Sequence, residues 1–228
     1  MKEKNYKYYL LQEYFKKYPE VFNLREKEYL LMASANDDFL SNYEIVREIY
    51  DEFGLIPKSE NIYDGFADLI FDTCGIENKN IIEVGGGHLP RLAKRLSERQ
   101  VSGTIKVYDP LLSIYEKSSP KLQLVREMFS DKTNVTDADL LVGLMPCGAA
   151  LDIVCSAVKN NKDFLVALCE GGPHGDYFDY FENEEEWLST VISVASSGVK
   201  DNDMGELVIE KSLVKYKDDY PVIYNKRK

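Results

Sequence analysis

Long apolar runs are missing from this sequence. The longest, Leu140 to Met145 and Phe164 to Cys169, fall far short of the roughly 20 residues that cross a bilayer. The opening Met1-Lys-Glu-Lys-Asn leads into Tyr, Lys and Gln instead of an apolar signal core, so a soluble, cytoplasmic protein without a membrane partner is expected. Metal-binding side chains are scarce. Cys74, Cys147, Cys155 and Cys169 stand 73, 8 and 14 residues apart, no Cys-x-x-Cys pair exists, and only His88 and His174 could assist. No zinc site is expected, and four scattered thiols suit a reducing compartment. Positive charge is also short: 28 Lys and Arg stand against 39 Asp and Glu, a net charge of −11. Such a surface repels phosphate backbones, which disfavours nucleic acid as a partner unless a local basic patch exists. What the chain does have is 44% hydrophobic residues in 228, enough for one domain with an appendage or for two small domains.

Residues 1–75 read as helices only and are expected to form an N-terminal cap. Tyr8, Leu11, Phe15 and Tyr18 recur at helical spacing, and Pro19 closes that segment. Leu24 to Leu40 is again helix-like. Ser41 with Glu44 forms a capping-box pattern ahead of Ile45, Ile49 and Phe53, with Gly54 as a stop. After the break at Pro57, the residues Ile62, Phe66, Leu69 and Thr73 mark another helix. Tyr6, Tyr8, Tyr9, Tyr14 and Tyr18 crowd together, either as a packing face or as an aromatic lid over a substrate.

From Asn80 onward, short apolar runs alternate with helical stretches, and a second domain over residues 76–228 is expected. Asn80–Val84, Thr104–Tyr108, Leu122–Val125, Leu140–Leu144 and Phe164–Leu168 read as strands. Helices are expected over Pro90–Arg99, over Ala149–Lys159, and from an Asn183 cap to a stop at Gly198. This alternation predicts a doubly wound parallel sheet with helices on both faces, the α/β Rossmann-like class. Leu207–Lys215 and Tyr220–Tyr224, joined at Lys217-Asp218-Asp219, predict a closing antiparallel hairpin.

The strongest signal is Ile81-Ile82-Glu83-Val84-Gly85-Gly86-Gly87-His88-Leu89-Pro90-Arg91, a buried strand running through three glycines into a helix. Glycine permits a sharp turn and lets a ligand approach the backbone at the carboxyl end of the first strand. A turn that holds nothing is the bland alternative. A dinucleotide fingerprint needs glycine where Pro90 stands, and a Walker loop needs Gly-Lys-Ser/Thr, so neither NAD nor a nucleotide phosphate fits well. Glu83 at the strand end would repel an anion and suits a ligand carrying an amino group. Further on, Lys106-Val107-Tyr108-Asp109-Pro110 puts an acid 24 residues after Gly85, the separation at which a carboxylate accepts hydrogen bonds from ribose hydroxyls. Asp-Pro is equally a common turn dipeptide.

With these residues in view, the stretch from Asn80 to the C-terminus resembles the class I S-adenosylmethionine-dependent methyltransferases. Glu83-Val-Gly-Gly-Gly is similar to that family's acidic-x-Gly-x-Gly motif and Asp109 to its second-strand acid, while Leu89 stands where the family usually has a third glycine. The resemblance implies S-adenosylmethionine as cofactor. Gly85, Gly86 and Gly87, with His88, would pass its methionine part, and Glu83 would organise the loop and the amino group. Asp109 and Pro110 would lie at the ribose. Met128 and Phe129, in Arg126-Glu127-Met128-Phe129, would face adenine, and Leu144 and Met145 would lie beside the methyl donor. Core packing is an equal reading for Met128 and Phe129.

Groups acting on the acceptor should follow strands four and five. Pro146-Cys147 is similar to the motif of pyrimidine-C5 methyltransferases, in which a thiolate attacks the base. Leu144 stands where RNA enzymes of that kind carry Asp, so Cys147 is read as a nucleophile or, alternatively, as a small residue lining the site. In Glu170-Gly-Gly-Pro-His174-Gly-Asp176, His174 is a candidate general base oriented by Asp176 or Glu170, or an exposed loop histidine. Methylation of a small-molecule acceptor is the leading expectation. A non-catalytic nucleoside-binding module, an RNA methyltransferase and a dehydrogenase are the alternatives.

Overall fold

The computed structural model of the chain describes residues 11–17, 19, 27, 62–87, 89–112, 116–146, 148–168, 181, 183–211 and 221–227. Residues 11–17 are helical, as the spacing of Leu11 and Phe15 predicts, and Tyr14 in that segment is fully buried. The Ser41 capping box, the Gly54 stop and Tyr6, Tyr8, Tyr9 and Tyr18 lie outside the described residues, as does the Lys217-Asp218-Asp219 turn.

Among the described residues, four further helices and seven strands follow. The helices are α1 (Ile62–Cys74), α2 (Arg91–Arg99), α3 (Ala149–Lys159) and α4 (Glu184–Asp201). The strands are β1 (Ile81–Val84), β2 (Ile105–Tyr108), β3 (Leu122–Val125), β4 (Leu140–Leu144), β5 (Asp163–Ala167), β6 (Glu206–Lys211) and β7 (Pro221–Lys226). They form one sheet in the order β3-β2-β1-β4-β5-β7-β6. All pairs among the first five strands are parallel, while β5–β7 and β6–β7 are antiparallel. The doubly wound sheet with a closing hairpin is therefore present.

From β1, in the interior of the sheet, the chain continues toward one edge. It runs outward through β2 and β3, then returns to place β4 on the other side of β1. That reversal makes a topological switch point at the carboxyl ends of β1 and β4, the place where open α/β sheets bind ligands.

Alternation along the strands sorts side chains onto two cores. Ile81, Ile105, Val107, Leu140 and Val142 pack with Phe66 and Ile70 of α1 and with Leu92 and Leu96 of α2. Ile82, Val84, Leu141, Phe164 and Val166 face Ile153 and Val154 of α3 and Trp187 and Val191 of α4. The central strands β1 and β4 are buried along their whole length, because helices cover both of their faces.

The Asn183 cap is realised, its side chain accepting a hydrogen bond from the Glu186 amide at 2.9 Å. Gly198 does not stop α4, which continues to Asp201. A Cβ at Gly198 would overlap the Val158 side chain of α3, so this glycine lets two helices approach closely. Periodicity reads a glycine near a helix end as a stop, and only the neighbouring helix reveals the other use.

Candidate functional site

The carboxyl end of β1 enters the glycine turn. Gly85 and Gly87 take left-handed backbone angles, φ 80° and 66°, which a side chain would strain. The Gly85 amide donates to the Tyr108 carbonyl at 3.0 Å, so the turn stays attached to the end of β2. A Cβ on Gly85 would lie 3.1 Å from the Pro146 Cα, and one on Gly86 would collide with Val107. The turn thus fits between the corner after β4 and the side chains of β2.

Asp109 locks this turn. Its Oδ2 accepts from the Gly87 amide at 2.9 Å and its Oδ1 from the Leu111 amide at 2.7 Å. The turn reading of Asp109 is realised, and its carboxylate has a second, longer-range contact. It makes the local turn ahead of Leu111, and it also reaches across to the glycine loop 22 residues upstream. Each carboxylate oxygen accepts one amide and keeps lone-pair capacity for another donor.

Glu83 is the one charged residue type in β1 and is 2% exposed. The Pro90 position that opens α2 supplies no side-chain cap, and the Glu83 carboxyl accepts a hydrogen bond from the Ala93 backbone in the first turn of that helix. Its Oε2 is buried without a hydrogen-bond partner among the described residues. Burial pushes the group up to about 8, the Ala93 amide holds it down, and the nearby Asp109 carboxylate raises it further. Below that value Glu83 is an uncharged acid in the folded protein. From the sequence Glu83 reads as a carboxylate, because burial cannot be read from one letter.

This has a consequence for stability. The folded protein holds the Glu83 proton to a higher pH than the unfolded chain, whose carboxyl follows its ordinary value of 4.5. The stabilisation this contributes is complete below pH 4.5 and is lost as pH rises toward about 8. Urea midpoints measured from pH 5 to pH 8 are expected to decline less steeply for Glu83→Gln than for the unaltered chain. Parallel slopes would remove the assignment.

The remaining cofactor-site residues are distributed unevenly. Pro110 is exposed beside Asp109. Met128 is 73% exposed just past β3, with its apolar side chain free to cover a ligand. Phe129 is buried and meets Tyr108 edge-on at 5.6 Å, which makes it a support beneath the β2 end. Leu144 is buried in the α1–α2 core. Met145 has φ 51°, a conformation a methionine rarely takes, while its amide donates to the Ala167 carbonyl at 2.9 Å. This breaks strand alternation, so Leu144 and Met145 pack against the same core. His88, Cys147 and His174 lie outside the described residues.

Sequence reasoning missed the Ala93 and Leu111 amides and the Pro146 contact. Backbone groups carry no letter of their own, and the only sign of Pro146 was the glycine opposite it. It also missed the buried Arg91 at the start of α2.

A cavity of about 570 Å³ lies at the other end of the sheet, lined by Lys79, Asp139, Asn161, Lys162, Asp163 and Arg227, among others. Its charges are taken up by one another and by the backbone. Arg227 donates to Asp163 at 2.6 Å, Lys79 approaches Asp163 at 3.6 Å, and Asp139 accepts from the Asn80 amide at 2.8 Å. These pairs lie at the amino ends of β1, β4 and β5, whereas the glycine turn leaves polar capacity open, so the turn is the candidate site. Among the described residues no helix is long and apolar enough to cross a membrane, and no cluster of three or more His, Cys, Asp or Glu could hold a metal.

No protein-family model matches the sequence, and no curated protein matches it. Solved structures with a similar arrangement include human N-acetylserotonin methyltransferase in complex with SAM, at 12% identity over 96% of this chain and 67% of that one, TM-score 0.49. A SAM-dependent O-methyltransferase from Thermotoga maritima is similar at 11% identity over 76% of this chain and 73% of that one, TM-score 0.49. A fibrillarin/Nop5p complex is similar at 13% identity over 67% of this chain and 74% of that one, TM-score 0.46. By its own strand order and terminal antiparallel hairpin, this chain has the Rossmann-like fold expected of a class I methyltransferase.

Proposed function

We propose that the protein is an S-adenosylmethionine-dependent methyltransferase acting on a small molecule. One observation carries the reading: the glycine turn after β1 and the acid after β2 meet at the switch point, with Asp109 Oδ2 2.9 Å from the Gly87 amide. The residues present suit the cofactor. Gly85–Gly87 bring no side chains of their own to the turn, a buried carboxyl with an unpartnered oxygen lies beneath it, and an exposed Met128 follows β3. The acidic net charge of −11 favours a small acceptor over an RNA.

When bound, S-adenosylmethionine supplies an electrophilic methyl group on a sulfonium, whose departure leaves a neutral thioether. The chain's own part is chiefly alignment. Asp109 accepts the ribose hydroxyls through the capacity its two oxygens retain, and Pro110 lies alongside. Gly85, Gly86 and Gly87, with His88, let the amino-acid part approach the backbone. Met128 offers adenine an apolar face, with Phe129 supporting the β2 end. Leu144 and Met145 border the reacting end from β4. On the loops after β4 and β5, Cys147 lines the acceptor side and His174 takes a proton from the acceptor where one must leave. Residues 1–75 bear on acceptor specificity, although α1 within them packs against the sheet.

The test begins with calorimetric titration of S-adenosylmethionine, S-adenosylhomocysteine and NAD, followed by incubation of methyl-labelled cofactor with fractionated small-molecule extract. Binding of the first two and label transfer to a small molecule are expected. Binding without transfer to any acceptor would point to a non-catalytic nucleoside-binding module. Binding of NAD alone would overturn the reading.

A further inference from the structure

Three observations converge on Glu83 and concern how the site takes its ligand. The carboxyl is 2% exposed, beneath the glycine turn, with Oε1 3.8 Å from the place a Cβ on Gly86 would occupy. Its second oxygen has no partner among the described residues, although a buried polar atom is costly to leave unmade. Another carboxylate, Asp109, already anchored by two amides, disfavours its ionisation.

Among the described residues no Lys or Arg forms a salt bridge with Glu83. In register beside it stand Val107 of β2 and Val142 of β4, both apolar. From α2 it meets the Ala93 amide, while Lys94 next to that residue is held by Glu116 at 2.9 Å. Arg91, in the first turn of the same helix, is buried as well. Like charges so close disfavour ionising both carboxyls.

We propose that Glu83 exchanges its proton for the ammonium group of the ligand, so that binding of S-adenosylmethionine in neutral solution expels a proton to solvent. This rests on the function proposed above. The step balances as an acid–base exchange: protonated Glu83 plus ligand ammonium gives a carboxylate–ammonium pair and one proton taken up by buffer. No covalent bond to carbon, nitrogen or sulfur changes. The glycine turn then selects a nucleoside bearing a cationic amine, and binding is linked to pH through one buried group.

Calorimetric titration at pH 7 in buffers of different ionisation enthalpy counts the protons released. With S-adenosylmethionine, close to one proton per site is expected, and affinity should tighten about tenfold from pH 6 to pH 7. The related nucleoside 5′-methylthioadenosine lacks the amine and should release none. Glu83→Gln keeps an acceptor for Ala93 and should bind S-adenosylmethionine without proton release. S-adenosylmethionine binding to the unaltered chain with no proton released and no pH dependence would overturn the proposal while leaving the cofactor assignment standing. Release that persists in Glu83→Gln would also overturn it. If S-adenosylmethionine does not bind, the proposed function fails with it.

Discussion

Asp109→Ala is expected to weaken S-adenosylmethionine binding by on the order of 1–3 kcal/mol, roughly 5- to 150-fold. Two losses combine. The carboxylate that would accept the ribose hydroxyls disappears, and the Gly87 and Leu111 amides lose the acceptor that fixes the turn. Hydrogen bonds to an ionised oxygen are the stronger kind, and here two hold a loop that must be shaped before the ligand arrives. Asp109→Asn keeps one acceptor oxygen and one of the two amide contacts, so its loss should be smaller. Titration calorimetry on both variants measures this directly. An unchanged dissociation constant in Asp109→Ala would remove Asp109 from the site, whatever its part in folding.

The second large effect falls on the glycine turn. Gly85→Ala forces a methyl group into a backbone with φ 80° and to within 3.1 Å of the Pro146 Cα. Left-handed strain and overpacking against backbone each cost about 1–3 kcal/mol, and the neighbour here cannot rotate away as a side-chain tip would. The chain should lose on the order of 3 kcal/mol of stability, or regain part of it by moving the turn away from the β4 corner. In either case ligand affinity falls. Denaturant midpoints and calorimetry together would separate the two routes, because a displaced turn loses affinity with little loss of stability. A variant unaltered in both measures would contradict the geometry described for Gly85.

Much of the fold is legible because its signals are local. The apolar run Leu140–Leu144 is a central strand in both the pattern and the structure, and Asn183 caps α4 as its side chain and the following acids imply. The edge strand β3 is legible too, although only Leu122 in it is fully buried. Legibility fails where a residue's part depends on what faces it. Gly198 reads as a stop and instead receives Val158, and Phe129 reads equally as a ligand face or as packing until Tyr108 is seen against it.

The site divides along the same line. That Gly85–Gly87 and Asp109 belong together follows from strand-end spacing in a parallel sheet, since both lie where strands deliver their carboxyl ends. The means of joining them, one amide of Gly87 on Asp109, is a backbone contact that no letter announces. Glu83 shows the limit most clearly. Its position at the end of β1 is readable, but its protonation depends on burial, on Ala93 and on the distance to Asp109. Met145 is a similar case, because its left-handed backbone turns two successive residues toward one core.

The crystal structure of the chain grown with S-adenosylhomocysteine would test the central claim most directly. The nucleoside should lie across Gly85–Gly87 at the carboxyl ends of β1 and β4, with both ribose hydroxyls on Asp109. Density for the ligand in the cleft of Lys79, Asp163 and Arg227, or on any surface remote from Asp109, would contradict the account.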